Sequence, residues 1–128
     1  MSLQDAFDVF ANRRREWLKL QARRARNEAH LASKETDVEA GTATEQEYYL
    51  VAEEGYKLRR QSELEDMQSR KQFADSVKEA YLLSNWTFDV VDGKIKVDVS
   101  VLEPNTDNQS VGSKVVQTIQ FSAPVIVV

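Results

Sequence analysis

His30 is the only imidazole in the 128-residue chain, and it stands between Ala29 and Leu31 in a stretch of helical composition. A nucleophile–base pair or a metal site needs partners held beside it, and no His-x-x-x-His or comparable ligand spacing occurs. The chain has no Cys, so thiolate nucleophiles, disulfides and Cys-ligated zinc or iron–sulfur sites are excluded. Asp89, Asp92 and Asp98 are spread along a hairpin pattern and lack the D-x-D-x-D-G spacing that lets oxygens converge on calcium. Asp92-Gly93 reads as a turn instead. No Gly-rich phosphate loop and no G-x-S-x-G elbow is present. The sequence therefore predicts a non-enzyme, without metal or cofactor.

The arginines are the other residues that could recognise something. Ala11 to Lys34 holds eight bases against Glu16 and Glu28, a local charge of +6. Its densest part is the basic patch Arg13, Arg14, Arg15, Arg23, Arg24 and Arg26. Arg13 with Arg24, and Arg15 with Arg26, stand eleven residues apart, so each pair shares a helix face. Such a stripe could track phosphates. However, Glu35 to Asp66 holds ten acids against Lys57, Arg59 and Arg60, a local charge of −7. Folding the chain about residue 41 sets Arg13–Lys19 opposite Glu63, Glu65 and Asp66, and Arg26 near Glu53 and Glu54. Neutralisation within the chain is the simpler reading, and the net charge of −4 points the same way. Nucleic acid is not an expected partner.

The elements that must position these residues are legible from composition. Residues 3–83 contain no Pro and are rich in Ala, Glu, Arg, Gln and Leu, which lose least on entering a helix. Ser2 with Asp5, and Thr42 with Glu45, give capping signals, and Gly41 suits a left-handed helix end. Two helices over 4–38 and 43–83 follow, antiparallel because their connection is short. On the second helix the apolar stripe is Tyr49, Ala52, Tyr56, Leu64, Met67, Ala74, Val77 and Tyr81. From Asn85 the period changes to two. Trp86, Phe88 and Val90 alternate with polar residues, then Ile95, Val97, Val99 and Val101 do so beyond the Asp92-Gly93 turn. Val115, Ile119 and Phe121 mark a third strand. The fold class is α+β: a long, coiled-coil-like antiparallel helical hairpin (1–83), then an antiparallel sheet of three to four strands (84–128).

That architecture leaves apolar surface uncovered. Helices of roughly 50 and 60 Å exceed the ~27 Å that an eight-residue strand can span. Phe7, Phe10, Trp17, Leu50, Leu58 and Phe73 do not all fit into one two-helix seam. The final run Val125, Ile126, Val127 and Val128 has no charged gatekeeper, and is expected to be held by β-pairing in its own chain or a neighbour's. These ten residues form the expected protein interface. The predicted function is a structural or assembly subunit of a homo- or hetero-oligomer, in the style of phage and virus particle components. The alternative is a small binding protein or inhibitor that docks onto one macromolecule. No apolar run approaches a membrane span and no secretory signal is visible, so a cytoplasmic or particle-bound location is expected.

Overall fold

The computed structural model describes residues 2–104 and 113–126. Its elements, in chain order, are α1 (Leu3–Glu39), α2 (Glu45–Ala80), β1 (Ser84–Val91), β2 (Lys94–Pro104) and β3 (Ser113–Pro124). Two long helices precede a three-stranded antiparallel sheet of order β1-β2-β3, as the hydropathy periods predict. The chain divides into two compact units. One joins Met1–Arg15 with Gln68–Val128, and the other is Glu16–Met67.

Helix ends are set by local chemistry. The Ser2 hydroxyl accepts from the Asp5 N–H at 3.1 Å, and the Asp5 carboxylate accepts from the Ser2 N–H at 3.4 Å, closing a capping box. At the end of α1 the Thr42 N–H reaches the Asp37 carbonyl at 2.8 Å and the Gly41 N–H reaches Val38 at 3.1 Å. This is a Schellman turn, and it needs the positive φ of Gly41, 78°. Thr42 is consumed by that turn. The second cap therefore falls on Thr44, whose hydroxyl accepts from the Glu47 N–H at 3.2 Å. The T-x-x-E signal is real but begins two residues later than Thr42.

In the first unit the sheet lies on the terminal parts of both helices. Alternation along β2 turns Ile95, Val97 and Val99 to one face, where they are fully buried. Trp86 and Phe88 from β1, and Ile119, Phe121 and Ala123 from β3, flank them. Ala6, Phe7, Phe10, Ala11, Phe73 and Val77 cover this face from the helices. Phe7 stacks on Phe121 with centroids 5.1 Å apart, and Phe10 meets Phe73, Trp86 and Phe88 at 5.1, 5.6 and 5.4 Å. Phe7, Phe10 and Phe73 are thus core residues of this chain and not a partner surface. Their rings lie outside a two-helix stripe because they face a third layer, the sheet.

The opposite sheet face carries cross-strand rows such as Thr87–Asp98–Gln120 and Asp89–Lys96–Ser122. It is polar, so leaving it uncovered costs little. Asp92 and Gly93 both take positive φ, 53° and 70°, which makes the β1–β2 connection the expected two-residue hairpin turn. At the far end of β3 the Val125 N–H donates to Gly93 O at 2.9 Å, and Arg15 Nε donates to Pro124 O at 2.9 Å. The start of the apolar tail is therefore paired within its own chain. Ile126 is exposed, and Val127 and Val128 lie outside the described residues.

The second unit is a helical hairpin with a polar seam. Its α2 residues Tyr48, Val51, Gly55, Leu58 and Ser62 recur at spacings of three and four, the antiparallel coiled-coil pattern. Of these, Leu58 is the only buried apolar side chain, 3% exposed, and Ser62, one turn further on, is also buried. Arg24 Nη1 donates to Ser62 Oγ at 3.3 Å, Asn27 Nδ2 to the Val51 carbonyl at 3.2 Å, and Lys34 pairs with Glu47 at 3.3 Å. These pairs follow the fold about residue 41 that the charge pattern implies.

Gly55 leaves the space that the Asn27 side chain occupies in the seam. A Cβ at this position would collide with the Asn27 amide oxygen. Replacing a helical Gly by Ala normally gains about 1 kcal/mol. In this hairpin Gly55→Ala should gain nothing, because Asn27 must turn away from Val51. In an Asn27→Ala background the same substitution should recover the full gain. Denaturant midpoints of the four variants of this cycle measure the coupling, and simple additivity would show that the two sites do not meet.

Candidate docking face on the helical hairpin

At 100° per residue, Tyr49, Tyr56 and Met67 fall within about 20° of one line on α2, with Leu64 some 60° from it. Leu58, in the seam, points about 180° from Tyr49. The line therefore runs along the side away from α1, over roughly 27 Å. Tyr49 is 66% exposed, Tyr56 62% and Met67 61%. These residues belong to the stripe that periodicity assigns to the hairpin interior, and the structure reverses that assignment for Tyr49, Tyr56, Leu64 and Met67. The cause is the seam's composition. Gly55 and Ser62 occupy inward positions, so hydropathy peaks on the wrong face. Val77, further along, is buried as expected.

The remaining interface residues scatter. Leu58 is buried in the seam, Trp17 is half-buried, and Leu50 is exposed on the flank of the Tyr49 line. Sequence reasoning missed Tyr49, Tyr56 and Met67 as surface residues. The signal that could have found them is a second heptad-like row, Gln46, Tyr49, Glu53, Tyr56, Arg60, Leu64 and Met67, parallel to the seam row. Beside it runs a shallow groove between the helices, lined by Arg24, Asn27, Leu31, Ala52, Gly55 and Tyr56 among others.

The arginines do not form one exposed stripe. Arg13 donates to Gln72 at 2.8 Å and Gln68 at 3.2 Å. Arg14 is fully buried, with Nη2 on Ser69 Oγ at 3.0 Å and its guanidinium carbon 5.2 and 4.7 Å from the Phe10 and Phe88 ring centroids. Arg15 ties down Pro124 and also donates to Asn12. Arg24 is half-buried, whereas Arg23 and Arg26 are exposed. On the surface of α2, a hydrogen bond to Asp75 and the charge of that carboxylate hold the Lys71 ammonium above its ordinary pKa.

His30 is exposed on α1. Among the described residues no three His, Asp or Glu side chains converge to hold a metal ion, and no helix is long and apolar enough to cross a membrane. Comparison with family models, curated proteins and solved structures gives no match.

Proposed function

We propose that this protein is a non-enzymatic structural or assembly subunit, which docks onto protein through the outward face of α2. The observation that carries this reading is an inversion of apolar surface in the Glu16–Met67 hairpin. The seam of that hairpin buries one large apolar side chain of its own, Leu58, while Tyr49, Tyr56, Leu64 and Met67 stand in solvent on the opposite side. A thinly packed hairpin gains little from its own seam and opens readily. Covering the outer row adds up to ~1.5–3 kcal/mol for each large side chain, which is large on the scale of such a seam. The row alternates these apolar side chains with the charges of Glu53 and Arg60, a composition that suits a helix-on-helix protein contact.

Solution mass tests the reading. The purified chain should sediment as a species larger than its 14.6 kDa monomer. Tyr49→Ser, Tyr56→Ser and Met67→Ser together should return it to monomer mass with helicity retained. A wild-type chain that stays monomeric at all concentrations would overturn the proposal and favour the small-inhibitor alternative.

A further inference from the structure

We infer that the partner seated on this outer face is a second copy of the chain, with the two α2 helices antiparallel about a two-fold axis that passes between Tyr56 and Lys57. The inference rests on the docking role proposed for the face and adds its occupant and register.

The charges within the row select the arrangement. Glu53 and Arg60 occupy central positions in it, with Lys57 on one flank and Glu63 on the other. Glu53 and Lys57 already pair along the helix at 3.6 Å. In an antiparallel pair of identical helices each register is fixed by the residues that face one another. An axis at Glu53 sets that carboxylate against its own copy. An axis at Arg60 does the same for the guanidinium. An axis at the level of Leu58, about half a turn nearer Met67 than the midpoint of Glu53 and Arg60, sets Glu53 against Glu63. The axis between Tyr56 and Lys57 instead sets Glu53 against Arg60 of the second copy, twice by symmetry. It also sets Tyr49 against Leu64 and Gln46 against Met67 of the second copy, and brings the two Tyr56 rings together beside the axis. Within the row unlike charges meet, and Tyr49 and Leu64 cover one another. Lys57, on the flank beside the axis, lies near its own copy, with its charge offset by the Glu53 carboxylate of its own helix. Polar residues at central positions commonly fix the register and orientation of such helix pairs.

Sedimentation equilibrium of the full chain tests this with a charge exchange. Glu53→Arg alone and Arg60→Glu alone should each raise the dimer dissociation constant at least about tenfold, because each sets like charges together in two symmetric contacts. Glu53→Arg with Arg60→Glu should restore it to within about threefold of wild type. Circular dichroism confirms that each exposed-surface variant stays folded. As a second readout, the Cys-free chain accepts Lys57→Cys, which lies beside the axis and should oxidise to a covalent dimer, whereas Ser33→Cys on α1 should not. An oligomer indifferent to both single exchanges, without rescue by the double exchange, would overturn this second-copy pairing while leaving an assembly role intact. A monomeric wild type would overturn both.

Discussion

Phe10→Ala should destabilise the protein by about 3–5 kcal/mol, the range for removing a phenyl ring from a packed core. The ring is 1% exposed and touches three other aromatic side chains from α2 and β1, as well as the Arg14 guanidinium. No small shift of one neighbour can fill the space it leaves. Against a total stability of ~5–15 kcal/mol for a domain, that is a large fraction. Urea unfolding followed by tryptophan fluorescence, to which Trp17 and Trp86 contribute, should show a lower midpoint with little change in slope, since the surface exposed on unfolding is nearly the same. Phe7→Ala should behave similarly through its stacking on Phe121. A loss below about 1 kcal/mol, with a smaller solution mass, would instead place these rings at an intersubunit contact.

Much of this fold is written in local chemistry. Ser2, Gly41 and Asp92-Gly93 each demand one backbone geometry, and the structure has each of them. The alternation of Ile95, Val97 and Val99 fixes both the strand and its buried face, because period two admits no other half-buried arrangement. The pairing of the two helices follows from the single break at Gly41, and Lys34–Glu47 is an interhelical ion pair consistent with the complementary charge blocks. What hydropathy could not resolve is which neighbour an apolar helix face meets. Phe7, Phe10 and Phe73 read as surplus to a two-helix seam, and only the folded-back sheet shows them to be core. Tyr49, Tyr56 and Met67 read as seam because Gly55 and Ser62 interrupt the apolar signal of the true seam row, Tyr48, Val51 and Leu58. Both errors come from treating one helix face as the only buried one, when α2 has a polar seam, an apolar outer row and a sheet-facing end. Arg14 was hidden for a related reason. In sequence it is one base among three, and nothing local distinguishes it from Arg13 and Arg15.

Arg14→Ala should cost about 2–5 kcal/mol, the range for truncating a large, fully buried side chain and leaving a cavity. The guanidinium is 0% exposed, lies against the Phe10 and Phe88 rings and donates to Ser69 Oγ. Phe88 is approached by a second guanidinium as well, that of Arg70 at 4.8 Å. Truncation to Ala opens a cavity among these rings and removes the hydrogen bond from Nη2 to the buried Ser69 hydroxyl. Arg14→Lys separates charge from shape. The ammonium keeps the net charge at −4, yet it has no plane to lay on an aromatic face and is more strongly hydrated. A desolvated cation–π contact is worth about 2 kcal/mol, so Arg14→Lys should still lose about 1–2 kcal/mol. Pairing it with Phe88→Leu should give a combined loss smaller than the sum, because the two substitutions remove the same contact. Equal stability of Arg14→Lys and wild type would mean that position 14 is held by charge alone. In that case the rings of Phe10 and Phe88 serve only as apolar walls, and Phe88→Leu should cost the same with Arg or Lys beside it.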